Sequence, residues 1–241
     1  MRYGIFSDVH SNLEALEAVL GAYSKERIDQ YLLAGDVVGY CADPSECIKR
    51  IADISCITVA GNHDWATSDL FDPINLNEAA REAVLWTEAV ISWEEIGYLK
   101  SLELVYESDA FSVVHGSLNS PGDFNYILSE KDAAPTFHLM RSNICFIGHS
   151  HVDGIFQLQK NGISYARNHK VKLSPDVKYI VNVGSVGQPR DGDPRAAYAI
   201  YDDEKNVVEI KRVEYDIKAA QDKILKSGLP SELAYRLSAG K

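Results

Sequence analysis

Short apolar runs that end in glycine or a polar turn recur along the first two thirds of the chain. They cover residues 2–7, 31–34, 56–60, 111–114 and 144–147. Runs of this length, rich in β-branched residues, are typical of buried strands, whereas amphipathic helices need longer patterns with a period near 3.6 residues. The pattern therefore predicts strands whose carboxyl ends open into polar loops.

Helical patterns separate the first three of these runs. An apolar pattern over residues 13–23 follows Ser11-Asn12-Leu13-Glu14, which has the Ser-x-x-Glu form of a capping box. Asp43 and Pro44 suit the N-cap and the first position of a second helix. An order of strand, helix, strand, helix and strand predicts parallel pairing of the three strands.

The middle of the chain is predicted to be mainly helical. Residues 75–91 and 93–102 carry helical patterns, and the rings of Trp86 and Trp93 are expected to pack in the core. A loop-like segment over 117–132 then precedes one more predicted helix.

Strand patterns dominate after His151. Residues 155–159 and 163–166 flank Asn161-Gly162, which is a strong hairpin signal. Three further strand runs and two helical patterns follow, at 179–183, 197–201, 207–213, 216–227 and 231–241. Two sheets packed face to face with helices outside account for this order. We expect one domain over 1–241, with a C-terminal helical extension from about 216.

Composition and charge disfavour some classes of function. With 46% hydrophobic residues in 241, one soluble domain can bury a large core without disulfides. The net charge of −11 disfavours binding to extended nucleic acid or to anionic membranes, because affinity for phosphate backbones comes from Lys and Arg. A small anionic substrate stays compatible, since a bound metal ion reverses the local field.

A cytoplasmic location is expected. Met1-Arg2 runs straight into the first predicted strand, so we expect no secretory leader, and no apolar run approaches the roughly 20 residues of a membrane span. The cysteines have no CxxC spacing, and Cys56 and Cys145 lie in apolar runs. We therefore expect reduced cysteines, with the oligomeric state left open.

Each of the first five predicted strands ends in side chains that can bind a metal ion. The candidates are Asp8, His10, Asp36, Asn62, His63, Asp64, His115, His149 and His151. Because ligands bind outside the carboxyl ends of strands, these groups are expected to converge at the edge of one sheet. Each motif alone is weak and is ordinarily a turn, a cap or a structural histidine. Together they contain five of the seven histidines. Burying so many polar groups unpaired costs free energy, so a purely structural purpose is a poor explanation.

The donor types point to a pair of transition metal ions. Aspartate, histidine and asparagine without a thiolate suit Mn, Fe, Zn or Ni. One such ion binds about four to six donor atoms, and the candidate side chains outnumber them. Two ions that share a carboxylate therefore fit better. Paired ions about 3.5–4 Å apart activate water and clamp a phosphoryl group. His63 is free to act as general acid or to stabilise charge, with Asp64 holding its ring.

In order and spacing these motifs resemble those of the calcineurin-like metallophosphoesterases. The matching motifs are Asp8-x-His10, Gly35-Asp36, Gly61-Asn62-His63-Asp64, His115-Gly116 and Gly148-His149-x-His151. The resemblance covers about residues 1–200. It implies an α/β (α+β) fold, namely a four-layer α-β-β-α sandwich of two mixed sheets flanked by helices.

The resemblance also implies a role for each residue. A first ion is expected on Asp8, His10, Asp36 and His151. A second is expected on Asp36, Asn62, His115 and His149, so that Asp36 bridges the two. A hydroxide between the ions is expected to attack phosphorus, with His63 as catalytic acid supported by Asp64.

A narrower resemblance concerns the substrate. The stretches 35–40 and 182–191, with 80–83 and Trp86-Thr87, look like those of small prokaryotic phosphoesterases, some of which cleave dinucleoside polyphosphates. This implies a phosphodiester or phosphoanhydride of nucleotide type. Cys41-Ala42 departs from the Gly-Pro of many members and is expected to change only a rim loop.

Three residues outside the metal motifs are candidates for substrate binding. Arg190 and Arg195 could clamp a phosphate, and Tyr40 could stack on a base or cover the site. The alternative for both arginines is a salt-bridged turn that anchors the two sheets.

Two other functions stay open. A phosphomonoesterase, including a phosphoprotein phosphatase, would use the same centre, although the sequence gives no sign of a docking groove for a protein. A metal-binding scaffold without turnover is the alternative outside enzymes, and the intact Asn62, His63 and His115 argue against it.

Overall fold

The computed structural model describes residues 1–241 and contains two six-stranded mixed sheets and eight α-helices. The strands are β1 (Arg2–Phe6), β2 (Gln30–Leu33), β3 (Ile57–Thr58), β4 (Val105–Glu107), β5 (Ser112–Val114), β6 (Ile144–Ile147), β7 (Gly154–Gln159), β8 (Gly162–Ala166), β9 (Lys170–Lys172), β10 (Lys178–Asn182), β11 (Ala196–Asp202) and β12 (Val207–Val213). The helices are α1 (Leu13–Tyr23), α2 (Pro44–Asp53), α3 (Asn62–Thr67), α4 (Glu78–Val90), α5 (Trp93–Lys100), α6 (Glu130–Leu139), α7 (Ile217–Lys226) and α8 (Ser231–Ala239).

Each sheet contains three neighbouring parallel strands, which lie at one side of the first sheet and in the centre of the second, and the remaining strands pair antiparallel. The first runs in the order β3-β2-β1-β11-β12-β9, with β3, β2 and β1 parallel. The second runs in the order β4-β5-β6-β10-β7-β8, with β5, β6 and β10 parallel. The predicted parallel pairing of the first three strands is confirmed.

Both faces of each sheet are covered by apolar side chains. A buried cluster that includes Ile5, Val113 and Phe146 fills the space between the sheets. The outer face of the first sheet packs against α1, α2 and α5, and that of the second packs against α6. The four-layer α-β-β-α architecture is thus confirmed, and burial on both faces explains why the central strands are continuously apolar.

The strand boundaries differ from the sequence pattern in three places. β3 covers only Ile57–Thr58 because Ala60 donates its N–H to Glu103, away from β2. β4 and β9 lie outside the predicted strands. Each is only three residues long, which is too short to give a clear apolar pattern. The strand ends that bear the candidate ligands also belong to two sheets, not one: β1 to β3 in the first sheet, β5 and β6 in the second.

The start of α1 corrects the predicted capping box. Asn12, not Ser11, caps the helix, because its Oδ1 accepts the N–H of Ala15 at 3.1 Å. Ser11 Oγ instead accepts the N–H of Gly39 at 3.2 Å, in the loop after β2. Ser11 therefore ties the loops after the first two strands together.

Trp93 corrects a second expectation. Its side chain is 87% exposed at the first position of α5, whereas Leu99 near the end of the helix is fully buried. This short helix contacts the core through its last turn, so its first residue stays in solvent. Trp86, in contrast, is half-buried beside side chains of α4, α7 and α8.

The end of the chain follows the sequence pattern. β7 and β8 form the predicted hairpin, with Gln159 opposite Gly162, whose φ of +115° suits the tight turn. The two predicted C-terminal helices are present as α7 and α8. None of the helices combines the length and the apolar character that crossing a membrane requires.

Replacing Trp93 by alanine is expected to change the free energy of unfolding by less than about 0.5 kcal/mol, because this side chain already lies in solvent. Phe146→Ala, between the sheets, is the matched comparison and should cost about 3–5 kcal/mol. Urea unfolding followed by circular dichroism measures both changes. A cost of about 2 kcal/mol or more for Trp93→Ala would contradict the exposed position.

Candidate metal centre

The backbone is left-handed at most of the candidate ligands. Five residues have φ between +50° and +66°: Asp8, His10, Asp36, His149 and His151. A left-handed conformation costs a residue with a side chain about 1–2 kcal/mol, and such strain gathers at functional sites. The strain lies in the loops that follow β1, β2 and β6, where these side chains meet.

One buried carboxylate ties two of the loops together. Asp64 accepts the backbone N–H groups of Asp36 at 2.8 Å, Val38 at 3.2 Å and Gly61 at 2.9 Å. Both of its oxygens are thereby occupied, and no hydrogen bond joins Asp64 to the ring of His63. The expected support of His63 by Asp64 is therefore corrected: Asp64 positions the loop that carries Asp36.

Asp8 and Asp36 divide their oxygens in the same way. Asp8 Oδ2 accepts the N–H of His149 at 3.0 Å, while Asp8 Oδ1 is buried and has no hydrogen-bond partner. Asp36 Oδ1 accepts the N–H of His63 at 2.9 Å. Asp36 Oδ2 lies 3.5 Å from Nε2 of His10 and 3.3 Å from Nε2 of His115. Each carboxylate thus keeps one oxygen free for a cation. Burying that charged oxygen without a cation would be costly.

Three histidines are held in the tautomer that binds metal through Nε2. The Nδ1 atoms of His10, His115 and His151 lie 3.1, 2.7 and 2.6 Å from backbone carbonyl oxygens. A carbonyl only accepts, so each Nδ1 carries a proton and, in the neutral ring, Nε2 presents a lone pair. The Nε2 atoms of His10 and His151 face each other at 3.0 Å, a contact that needs a proton or a cation between them.

The donor atoms form two adjoining groups within the buried interior. One group contains Asp8, His10 and His151, and the other contains Asp36, His115 and His149; in each, the donor atoms lie within 4.8 Å of one another. A third set, His10, Asp36 and His63, overlaps both. Asn62 Oδ1 lies 3.2 Å from Nε2 of His115 and extends the second group. The structure brings all seven predicted ligands together, and the orphaned Asp8 Oδ1 and the facing lone pairs fit a metal centre.

Burial and neighbouring charge set the protonation states. Burial alone would raise the pKa of Asp8, but the nearby His151 and His10 outweigh it and hold that pKa well below its usual value. Burial, followed by the charge of Arg190, lowers the pKa of His151 to about 4. Burial also holds the pKa of His149 well below its usual value. Ionised carboxylates and neutral imidazoles are the forms that bind metal ions.

His115 is the exception among the histidines. Burial lowers its pKa, but Asp36 and Asp8 together outweigh burial and raise the pKa to about 9. Its Nε2 lies 3.3 Å from Asp36 and 4.0 Å from Asp8. Without a metal ion, the His115 ring therefore holds a proton at neutral pH. Its positive charge then takes the place that a metal ion would occupy between the two carboxylates.

His63 lies beside both groups and is oriented by packing. Its ring centre is 4.8 Å from that of His10 and 4.5 Å from that of Tyr40. Its Nδ1 is buried without a hydrogen-bond partner. Burial lowers the pKa of His63 to about 3, so the ring is neutral. A neutral imidazole keeps one N–H donor for a bound ligand.

Two adjoining cavities reach the centre. The smaller, of about 70 Å³, is lined by ligand side chains together with Tyr40, Arg190 and Tyr126. The larger, of about 450 Å³, shares Tyr126 with it. Arg195 lines neither cavity, because its guanidinium pairs with Asp193 at 2.7 Å. Of the three substrate-binding candidates, the structure brings Tyr40 and Arg190 to the centre and leaves Arg195 in a local salt-bridged turn.

The larger cavity has an aromatic wall that sequence reasoning missed. Phe71, Phe124 and Tyr126 contribute rings to it. The ring of Tyr126 stacks on the candidate ligand His149, with centres 3.8 Å apart and planes 13° from parallel. Phe124 takes a φ of +51°, which is unusual for a large side chain. These residues lie in segments of loop-like composition, where no periodic pattern marks them.

One family model matches most of the sequence. Residues 1–206 match the model of the calcineurin-like phosphoesterase superfamily domain. An uncharacterized protein of Methanocaldococcus jannaschii is 39% identical over 243 residues, which cover 98% of this chain and 97% of that protein.

Solved structures share the fold over the whole chain. The crystal structure of a metallophosphoesterase from Sphaerobacter thermophilus aligns with a TM-score of 0.87 and 38% identity, over 100% of this chain and 99% of that one. A protein from Pyrococcus horikoshii aligns with a TM-score of 0.80 and 20% identity, over 100% and 98% of the two chains. At that lower identity, the second likeness shows the fold alone.

Asp64→Asn is expected to lower both thermal stability and metal affinity. An amide has one acceptor oxygen and sets an NH₂ group against backbone N–H donors, a loss of about 1.5–3 kcal/mol. Thermal unfolding of the metal-free protein and metal content after desalting measure the two effects. If stability and metal content stayed unchanged while turnover fell, the expected role of Asp64 in holding His63 would be restored.

Metal loading at pH 8 is expected to release at least one proton per chain, because His115 with a pKa of about 9 must lose its proton to bind a metal ion. Metal affinity should therefore rise as the pH increases toward 9. Calorimetric titration with Mn²⁺ in buffers of different ionisation enthalpy counts the protons. His169→Gln, an exposed site outside the centre, should leave the count unchanged. Binding without proton release would contradict the charged state of His115.

Proposed function

Since the chain belongs to the calcineurin-like phosphoesterase superfamily, it is a phosphate ester hydrolase, and we propose that it uses two metal ions to cleave phosphodiester or phosphoanhydride bonds in small nucleotide-type substrates. The observation that carries the proposal is the pair of donor groups that adjoin beside Asp36, with His63 next to both. Mn, Fe, Zn and Ni all suit these donors.

The donor sets support two ions per chain. Asp8, His10 and His151 have their own buried cluster, and Asp36, His115 and His149 have another. Each carboxylate has one oxygen that no backbone N–H occupies. Asp36 Oδ2 lies within 3.5 Å of a histidine from each group, as a shared ligand would.

The chemistry divides between metal ions and side chains. When bound, the ions supply an activated water and neutralise charge on the phosphate oxygens. Water oxygen bonds to phosphorus, and the broken P–O bond leaves its electron pair on the departing oxygen. The neutral ring of His63 has an N–H with which to hydrogen-bond that oxygen, and Arg190 reaches the same cavity to bind a phosphate oxygen.

The cover over the centre supports a small substrate. His63, Asn62 and His149 are at most 6% exposed, and the cavity beside them is only about 70 Å³. Leu76, just before α4, and Ala80, in the first turn of α4, line it. A phosphorylated side chain on a folded protein would need an open groove, so this arrangement disfavours a phosphoprotein substrate.

The larger cavity supports a nucleoside as part of that substrate. Its volume of about 450 Å³, its rings of Phe71 and Tyr126, and its polar side chains suit a planar aromatic base. Asn75, Asp123 and Asn125 provide hydrogen-bonding groups for the base edge. The carboxylate of Asp123 would repel a phosphate, which favours placing the phosphate at the metal centre and the base here.

Substrate preference tests the proposal. With the Mn-loaded protein, the kcat/KM for bis-p-nitrophenyl phosphate should exceed that for p-nitrophenyl phosphate by about tenfold or more. The p-nitrophenyl ester of thymidine 5′-monophosphate should have the lower KM of the two diesters, because its base can fill the aromatic cavity. Preference for the monoester would favour the phosphomonoesterase alternative. No turnover at full metal occupancy would favour a scaffold.

His63→Ala is expected to lower kcat for diesters by about 10²–10³-fold, the usual contribution of one preorganised hydrogen-bond donor at a developing negative charge. Metal content should stay unchanged, since each donor group keeps its three main ligands. His169→Ala, outside the centre, serves as the matched histidine control. A His63→Ala variant with normal kcat would remove His63 from the chemistry.

A further inference from the structure

The four candidate ligand histidines are not held in the same way. In His10, His115 and His151, Nδ1 bonds a backbone carbonyl oxygen at 3.1, 2.7 and 2.6 Å, which fixes the direction of each ring. His149 has no such bond. Its backbone N–H donates to Asp8 Oδ2 at 3.0 Å, but neither of its ring nitrogens has a hydrogen-bond partner. A different contact must therefore set the direction of this ring.

The ring of Tyr126 provides that contact by stacking. The ring centres of Tyr126 and His149 are 3.8 Å apart, and their planes are 13° from parallel. The ring of His115 lies 4.6 Å from that of His149 and is tilted by 55°. Rotation of the His149 imidazole out of its plane would lose the parallel stack, which is a favourable arrangement of aromatic rings. The stack therefore fixes the plane in which the ring nitrogens of His149 lie.

The loop that carries Tyr126 is anchored on both sides of it. Phe124 and Ile127 are each only 4% exposed. The ring of Phe124 packs edge-to-face on Trp65, with 5.5 Å between the ring centres. Ile127 belongs to the buried cluster that packs against α6. Because both neighbours lie in the core, the position of the Tyr126 ring does not depend on its own burial.

The glycine of the His115-Gly116 motif gives this loop its space. A Cβ on Gly116 would lie 2.7 Å from the carbonyl oxygen of Asn125, which is too close for a side-chain carbon. With glycine there, the backbone before Tyr126 lies directly against the end of β5, next to His115. The motif therefore supplies one ligand of the second group and makes room for the loop that orients another.

We propose that Tyr126 is a positioning residue, which holds His149 in the plane it needs to bind the metal ion of the second group. This inference rests on the proposed two-ion function and adds to it a residue outside the ligand set. The role needs the aromatic ring and not the phenol hydroxyl, because the contact joins two ring faces.

The first group has no equivalent dependence on an aromatic side chain. Tyr40 meets the ring of His10 at 60°, edge to face and not in a parallel stack. Both His10 and His151 have a carbonyl oxygen that fixes Nδ1. Loss of an aromatic ring at position 126 is therefore expected to affect one ion and spare the other.

Metal binding without substrate tests this role, because Tyr126 also lines the larger cavity and its loss would change substrate binding too. Calorimetric titration of the metal-free protein with Mn²⁺ resolves the two binding steps. Tyr126→Ala should weaken one step by about tenfold or more, as loss of a group that orients a ligand histidine usually does, and change the other by less than about threefold. Tyr126→Phe keeps the ring and should bind both ions normally. With Co²⁺ as the probe, the visible spectrum should change in Tyr126→Ala and not in Tyr126→Phe.

Two further variants identify the ion and the cause. His149→Ala should weaken the same binding step, and adding Tyr126→Ala to it should weaken that step no further, since the two residues act as one unit. Phe71→Ala removes another ring of the larger cavity, one that packs on Phe124 and not on a histidine, and should leave both steps unchanged. Because Tyr126 is 48% exposed, Tyr126→Ala should leave the melting temperature of the metal-free protein nearly unchanged.

The outcomes separate this role from the proposed function. Two unchanged binding steps in Tyr126→Ala would overturn the positioning role and leave the two-ion proposal standing. An equal loss in Tyr126→Phe and Tyr126→Ala would also overturn it, because the hydroxyl and not the ring would then be responsible. A single binding step in the unmodified protein would remove the two-ion proposal. The positioning role would then hold if that step weakened in Tyr126→Ala and recovered in Tyr126→Phe, and it would fail otherwise.

Discussion

Two buried carboxylates, Asp8 and Asp36, impose the conditions that the rest of the centre meets. They follow adjacent parallel strands, and each keeps one oxygen that no backbone N–H occupies. Such an oxygen is costly in a protein interior unless a cation approaches it. The left-handed strand ends, the histidine rings oriented by backbone carbonyls and the three backbone bonds to Asp64 all serve to present these oxygens to a cation.

The loops approach so closely that glycine is needed at two points for space. A Cβ on Gly61 would lie 2.0 Å from Asp36 Oδ1, and one on Gly148 would lie 1.9 Å from Ser7 Oγ. Gly61 belongs to the first sheet's loops, and Gly148 brings a loop of the second sheet against Ser7 of the first. The positions of the ligands therefore depend on how the two sheets pack, and the core between the sheets supports the chemistry at their edge.

The fold and the metal-binding residues are predictable because both leave local signals. Each ligand directly follows an apolar run, and parallel strands end at the same edge. Contacts between distant segments leave no such signal. No local pattern around Asp64 indicates its partners, yet its oxygens accept backbone N–H groups from residues 26 and 28 positions away. Trp93 is exposed because only the end of its helix contacts the core, and Leu233 of the last helix lies in one buried cluster with Tyr40.

Metal content per chain tests most directly whether one carboxylate joins two metal sites. After loading with Mn²⁺ and desalting, elemental analysis should give about two ions per chain for the unmodified protein. Asp36→Asn should hold about one or none, because Asp36 stands between both donor groups. One ion per chain in the unmodified protein, with no further loss in Asp36→Asn, would contradict a centre built around a shared carboxylate.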